Sequence, residues 1–164
     1  MASSLPAWQP FLNKADHNQK LIALLETQGQ DGFPDWIVVA MFYKGLHWLS
    51  AWLTEQRCPV SAFGSHSSTR ATIHYNPRNR PPHPCPVSKS AYNAYIDLYD
   101  MSLTARYNGF LDEEGMKSLS NANSASCKQA LTVLENFIEG KGLHLTPASI
   151  ASARAAVAQA EAAR

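Results

Sequence analysis

The segment from residue 35 to 53, DWIVVAMFYKGLHWLSAWL, is the feature that most constrains the fold of this chain. At 100° per residue, its apolar side chains occupy an arc wider than the stripe of a surface helix, which predicts a helix in the middle of a bundle. The remaining face suits a cleft wall or a partner surface. It carries Trp36, Tyr43, His47, Ser50 and Thr54. A core histidine satisfied by a carbonyl or hydroxyl group is the alternative for His47.

Helical patterns cover most of the rest of the chain. Further helices are predicted at about residues 8–28, 65–75, 88–107 and 116–139, and the central helix is predicted to begin at a capping Asp35 and to end near residue 56. No strand alternation is present, so the predicted fold class is all-α, an up-and-down bundle of four to five main helices. We expect the bundle to comprise residues 1–142, followed by a loosely packed, alanine-rich C-terminal helix at 143–164.

Composition limits the class of protein. A chain of 164 residues with 45% hydrophobic and 16% charged residues is expected to form one globular domain. Neither a membrane-spanning run nor a basic start followed by an apolar segment is present, so we expect a protein without membrane contact. Three cysteines at unrelated spacings favour free thiols and a cytoplasmic location over a disulfide framework.

The charge is unevenly distributed along the chain. No acidic residue occurs between Glu55 and Asp97, whereas five basic residues do, and in a chain of net charge +1 the remainder is therefore about four units negative. The five are Arg57, Arg70, Arg78, Arg80 and Lys89. A segment whose charged residues are all basic predicts a surface that binds phosphate, with Arg78 and Arg80 steering the phosphate to it. A solvated basic loop, or pairing with the acidic residues 112–114 in a predicted loop, is the alternative.

The predicted third helix carries the candidate chemistry. In HSSTRATIH, His66, Arg70 and His74 follow one another at i, i+4 and i+8, which predicts a ridge on one side of the helix. A histidine of near-neutral pKa can take the proton of a ribose 2′-hydroxyl or protonate the leaving oxygen, while a guanidinium stabilises charge on the phosphate. The pattern is therefore compatible with metal-independent phosphoryl transfer on RNA. The same spacing is also common on solvated helix faces.

Other catalytic patterns are missing from the sequence. There is no glycine-rich phosphate loop, no G-x-S-x-G, no H-E-x-x-H and no cysteine pair at zinc spacing. A metal site could gather His66, His74, His83 and Cys85, but this set lacks the Cys-x-x-Cys pattern of a structural zinc site. We therefore expect neither a metal nor a cofactor.

Three short motifs follow one another along the chain: D-W-x5-F-Y-x3-H, ending at His47, then H-x3-R at His66 and Arg70, then Y-x3-Y-x2-S-x3-R-Y, ending at Arg106 and Tyr107. Their order resembles that of a bacterial branch of the HEPN-like helical proteins. The resemblance covers roughly residues 13–139 and implies an up-and-down bundle. It also implies a homodimer with a composite cleft that cleaves RNA without a metal, as a ribonuclease or a toxin or defence component.

Two functional hypotheses follow from these observations. In the first, the protein acts on RNA, with His66, Arg70 and His74 lining a cleft, His47 and Arg106 supporting it, and Arg78 and Arg80 binding phosphate. In the second, it is a non-catalytic helical module that binds a partner protein or a nucleotide. The second is favoured by a departure from the R-x4–6-H signature of HEPN ribonucleases, because only three residues separate Arg70 from His74.

Overall fold

The computed structural model describes residues 6–27, 33–59, 61, 63–74, 85–107, 112–143 and 145. Within these ranges it contains five helices: α1 (Gln9–Glu26), α2 (Pro34–Glu55), α3 (His66–Thr72), α4 (Lys89–Tyr107) and α5 (Glu113–Glu139). Two short strands, β1 (Ile73–His74) and β2 (Cys85–Pro86), lie between α3 and α4. The all-α fold class is confirmed. None of the described helices combines the length and the apolarity needed to cross a bilayer.

The central helix α2 is buried along nearly its whole length, as its sequence predicts. Its fully buried side chains include Val38, Phe42 and Leu53. The helix begins two residues earlier than predicted, because Pro34 occupies its first turn and Phe33 is the N-cap residue. Asp35 is therefore not the cap. It lies in the first turn, where a carboxylate is stabilised by the positive end of the helix dipole.

Gly45 marks the closest approach of α2 to its neighbours. A Cβ atom at this position would lie 2.9 Å from Leu98 Cδ1 of α4 and 3.2 Å from Leu131 Cδ2 of α5. Further along α2, the ring of Trp52 meets that of Phe137 at 5.3 Å between centroids, so α2 and α5 run in the same direction.

The direction of α4 is opposite to that of α2 and α5. Met101 Sδ of α4 lies 3.8 Å from Cys127 Sγ near the middle of α5, whereas Leu98, earlier in α4, lies near Gly45 and thus near Leu131, later in α5. Together with the α1–α2 hairpin, this gives the alternating directions of an up-and-down bundle.

The third helix is shorter than predicted, and this corrects the position of His74. Ser65 begins it with a capping box, in which the Ser65 hydroxyl accepts from the Ser68 N–H and the Ser65 N–H donates to Ser68 Oγ. The helix ends at Thr72 because Ile73, which is β-branched and buried, adopts an extended conformation with ψ of 134°. Strand β1 then pairs with β2 in parallel, with Ile73 opposite Cys85.

His74 therefore does not continue a helical ridge with His66 and Arg70. Its backbone lies in β1 opposite Pro86, and its side chain is outside the described part of the structure. The predicted absence of strands is also wrong at this one place, where Ile73 and His74 pair with Cys85 and Pro86.

The acidic residues 112–114 do not form a loop. Asp112 is the N-cap residue of α5, and its Oδ1 accepts a hydrogen bond of 2.8 Å from the backbone N–H of Gly115. The helix begins at Glu113, three residues before the predicted start. Asp112 thus stabilises the start of a helix, and the alternative in which the acidic residues pair with the basic segment stays a prediction.

The prediction of three free thiols is wrong for two of them. Cys58, just after α2, and Cys85, in β2, form a disulfide with a Cα–Cα distance of 7.3 Å, while Cys127 is a buried free cysteine. The spacing of the cysteines along the sequence does not reveal this pair, because the position of Cys85 depends on the pairing of β2 with β1. Burial raises the pKa of the Cys127 thiol to about 12, so it is not an activated thiolate.

Several predictions fall on residues that the structure does not describe. These include Arg78, Arg80 and His83, and most of the predicted C-terminal helix. Leu143 and Leu145 are described, and both are buried in the core. The division into residues 1–142 and 143–164 stays a prediction.

Candidate functional site

His66 lies where α2, α3 and α4 meet. Its imidazole packs edge-on against Phe42 at 5.1 Å between ring centroids and against Tyr43 at 6.0 Å, and it contacts Tyr99 of α4 at 5.8 Å. The capping box at Ser65 fixes the start of α3 and so fixes the first-turn position of His66. No described atom forms a hydrogen bond with its buried Nδ1. The ring is therefore held by aromatic contacts, and its nitrogen retains a capacity for hydrogen bonding.

Arg106 approaches the same aromatic rings from the end of α4. Its guanidinium carbon lies 5.9 Å from the ring centroid of Phe42, 6.0 Å from that of Tyr43 and 5.5 Å from that of Tyr107. Ser102 orients it, because the Arg106 Nε donates to the Ser102 carbonyl oxygen at 3.0 Å and Nη2 donates to Ser102 Oγ at 3.2 Å. Within the described ranges, no carboxylate pairs with this guanidinium.

The proximity of Arg106 affects the protonation of His66. Burial lowers the pKa of His66 from its usual value, and the positive charge of Arg106 lowers it further. The imidazole is therefore neutral at neutral pH, beside a permanent cation. A neutral imidazole can accept a proton, and an arginine fork suits two oxygens of a phosphate, so the pair combines a base with an anion-binding group.

His47 borders the other side of this region. It follows Tyr43 by one turn of α2, with 6.4 Å between the ring centroids. Burial, followed by the nearby Lys14, lowers the pKa of His47 to about 4. His47 is therefore also neutral at neutral pH.

Both imidazoles line one hollow of about 480 Å³. Its wall is largely apolar but includes two serines, and is formed by Phe11, Leu46, His47, Ser50, Phe63, Gly64, Ser65 and His66. Ser50 Oγ donates to the Leu46 carbonyl oxygen at 2.8 Å, which leaves its lone pairs available. The structure thus brings two predicted site residues, His47 and His66, to one hollow, and Arg106 is not among the residues that line it.

Arg70 is on α3, one turn after His66, and is exposed. Burial raises the pKa of the Tyr95 hydroxyl and the positive charge of Arg70 slightly opposes this, whereas His66 contacts Tyr99, one turn later in α4. Arg70 is not among the residues that line the hollow, and the contribution of Arg70 to a cleft stays a prediction.

Sequence reasoning assigned no role of their own to Phe42 and Ser102, yet both position the site. Phe42 is fully buried and contacts His66 and Arg106, and Ser102 is fully buried and holds the guanidinium. A polar residue at i−4 from an arginine on an otherwise apolar stripe is the signal that points to Ser102. In the described part of the chain, no three His, Cys, Asp or Glu side chains converge as they would around a metal ion.

No protein-family model matches the chain, and no curated protein or solved structure is significantly similar to it.

Proposed function

We propose that this protein is an RNA-directed member of the HEPN-like helical bundles, and that it binds an RNA phosphodiester beside His66. The proposal is supported by one observation above all, that a neutral imidazole and an arginine without a described carboxylate partner share the rings of Phe42 and Tyr43. It is also supported by the charge of the segment between Glu55 and Asp97, which contains no acidic residue.

The same site can cleave the bound strand without a metal. In this reaction the 2′-hydroxyl loses its proton to a neutral imidazole, its oxygen forms a bond to phosphorus, and the bond from phosphorus to the 5′-oxygen breaks. The products are a 2′,3′-cyclic phosphate and a strand with a 5′-hydroxyl. His66 is the proposed base, and Arg106 is proposed to stabilise the charge on the phosphate oxygens.

The leaving 5′-oxygen needs a proton, and the free protein holds both imidazoles in the neutral form. A bound phosphate raises the pKa of a neighbouring imidazole, because an anion favours the charged form. We assign the acid role to His47, or to a histidine of a second copy in the homodimer that the family resemblance implies. A toxin or defence role is part of the same proposal.

The direct test is incubation of the purified protein with end-labelled single-stranded RNA in the presence of EDTA, with detection of the cyclic phosphate. Cleavage by the wild type that is lost in His66→Gln and in Arg106→Lys supports the proposal. His17→Gln and Arg57→Lys are matched controls, because His17 and Arg57 are exposed and lie outside the site. Intact RNA at high protein concentration would contradict cleavage, and absence of RNA binding would contradict the proposal as a whole.

Arg70 provides a separate test of how far the site extends. If the phosphodiester backbone passes along α3, Arg70→Ala lowers RNA affinity although the helix content stays unchanged. Unaltered affinity restricts the site to the His66, His47 and Arg106 region.

The second candidate is a non-catalytic module that binds a nucleotide or a partner protein. It is favoured by the lowered pKa of both His47 and His66, since the free site then has no protonated imidazole at neutral pH to act as an acid. Binding of RNA or a nucleotide without any cleavage, or stable co-purification of a cognate protein, would support it.

A further inference from the structure

The hollow that His47 and His66 line has the size and composition of a ligand-binding pocket. Its volume is about 480 Å³, and pockets for small ligands range over roughly 300–1,000 Å³ with mostly apolar walls. Phe11 of α1 and Phe63, which precedes α3, form part of the wall, and their rings meet edge-on at 6.0 Å between centroids. Leu46 of α2 adds an aliphatic side chain to it. A ligand in the hollow therefore meets an apolar surface to which three segments of the chain contribute.

The described lining of the hollow carries no formal charge at neutral pH. None of the described residues that line it is Asp, Glu, Lys or Arg. Burial lowers the pKa of both His47 and His66, so neither imidazole is protonated at neutral pH. A phosphate inside the hollow would lose its water without meeting a positive charge, which is costly. The part of a ligand that occupies the hollow is therefore uncharged.

The hollow also has side chains that can form hydrogen bonds with such a ligand. Ser50 is only 5% exposed, and its hydroxyl donates to the Leu46 carbonyl oxygen, so its free lone pairs can accept. The neutral imidazoles of His47 and His66 each have one N–H donor and one nitrogen acceptor. No described atom forms a hydrogen bond with the buried Nδ1 of His66. The hollow thus offers both donors and acceptors beside its apolar wall.

We infer that the hollow holds one unpaired nucleobase of an RNA strand, next to the phosphate proposed at Arg106. This inference rests on the proposed function and names the part of the substrate that the site recognises. A nucleobase is uncharged, has apolar faces and carries donors and acceptors along its edge, which matches this lining. A paired base does not fit, because its edge and its faces are already occupied within the duplex.

Other uncharged ligands match the hollow less well. A hydrocarbon chain would leave the buried Ser50 hydroxyl and the two imidazoles without partners. A sugar would place its hydroxyl groups against the rings of Phe11 and Phe63, where they find no hydrogen bond. A heteroaromatic ring satisfies both kinds of surface at once.

His66 connects the hollow to the proposed phosphate position. Its imidazole lines the hollow and also packs against Phe42 and Tyr43. Those two rings are not part of the lining, and the guanidinium of Arg106 lies over them. An uncharged base and a charged phosphate would therefore have different neighbours around the same imidazole, as the two parts of one nucleotide need.

The test is an NMR titration with uridine and adenosine, which contain a base and no phosphate, and with ribose 5-phosphate, which contains a phosphate and no base. We expect both nucleosides, at millimolar concentration, to shift the signals of His47 and His66 and to leave that of the exposed His17 unchanged. Ribose 5-phosphate should not shift the His47 signal, because the hollow offers no positive charge to its phosphate.

Two variants locate the bound base. Ser50→Ala is expected to weaken nucleoside binding about fivefold, which corresponds to one lost hydrogen bond. Ser126→Ala is the matched control, because the Ser126 hydroxyl also donates to the carbonyl oxygen four residues earlier but lies on α5, outside the hollow. Leu46→Trp places a larger ring in the hollow and should abolish the shifts caused by the nucleosides, with helix content measured as a control for folding.

The outcomes distinguish base binding from the function on which it rests. If neither nucleoside shifts His47 or His66, while RNA still binds in a manner that depends on Arg106, the base inference is wrong and the proposed function stands. If the nucleosides bind and RNA does not, base binding stands and the RNA-directed function fails. If neither nucleosides nor RNA bind, both proposals fail. If the nucleosides bind equally well to wild type and Ser50→Ala, and Leu46→Trp folds and still binds them, the base lies elsewhere and the inference is overturned.

Discussion

Arg106 and His66 lie on different helices but contact the same two aromatic rings, those of Phe42 and Tyr43. The permanent positive charge of Arg106 therefore acts on an imidazole that burial already keeps neutral. Ser102 accepts two hydrogen bonds from the guanidinium, and any other orientation of the Arg106 side chain would lose them. The pair is thus arranged before any ligand is bound.

Removal of the Arg106 charge is expected to raise the pKa of His66. The arginine favours the neutral imidazole, so Arg106→Gln makes protonation easier, although burial still keeps the pKa below its usual value. Titration of the imidazole resonances by NMR measures the change. Arg57→Gln should leave the His66 pKa unchanged, and an equal response to both substitutions would contradict the proposed proximity.

The stability of the protein is expected to fall as the pH is lowered from about 6.5 towards 4, in part because of His47. Its folded-state pKa is about 4, below the usual 6.5, so the unfolded chain takes up the proton first. His47 therefore does not reduce stability above pH 6.5, and its cost grows as the pH approaches the folded-state value. Urea unfolding at several pH values should show a weaker pH dependence in His47→Gln than in the wild type. The same dependence in both proteins would place His47 in a solvated position.

Gly45 is expected to tolerate no side chain without repacking. Gly45→Ala places a Cβ 2.9 Å from Leu98 Cδ1, so the Leu98 side chain must move although Leu131 and Leu134 also lie within 3.3 Å of that Cβ. We expect a loss of about 1–3 kcal/mol in the free energy of unfolding, as for other overpacked cores. Because α2 and α4 together position His66 and Arg106, nucleic-acid affinity should fall in the same variant. Unchanged stability would show that the three helices are packed less closely than described.

The disulfide between Cys58 and Cys85 is expected to support α3. It joins residues 27 apart in sequence and encloses the segment that carries His66. In the loop-entropy model, closing a loop of this length is worth about 3.5 kcal/mol, so Cys85→Ser should lower the free energy of unfolding by a comparable amount. Thiol titration of the unfolded protein should give one free thiol before reduction and three after it. Three thiols in the absence of reductant would contradict the bond.

The fold and the site were predictable from the sequence to different extents. The wide apolar arc of α2 and the recurrence of Tyr92, Tyr95 and Tyr99 in α4 have a simple helical period, and both helices form close to their predicted positions. The predicted ridge from His66 to His74 does not form, because the β-branched Ile73 pairs with Cys85 in a strand. This contact is distant in sequence, so local periodicity cannot predict it. The proximity of His66 to Arg106 depends on how α3 crosses α4, and the order of motifs named both residues without revealing that contact.

The central claim is that a nucleic-acid phosphate binds beside His66. The most direct measurement is an NMR titration of the histidine resonances with a 2′-deoxy dinucleoside monophosphate, which carries one phosphodiester and cannot be cleaved through a 2′-hydroxyl. We expect the His66 signal to shift and the pKa of His66 to rise on binding, while the exposed His17 does not respond. A His66 signal that stays unchanged at saturating ligand, or that moves no more than the signal of His17, would contradict it.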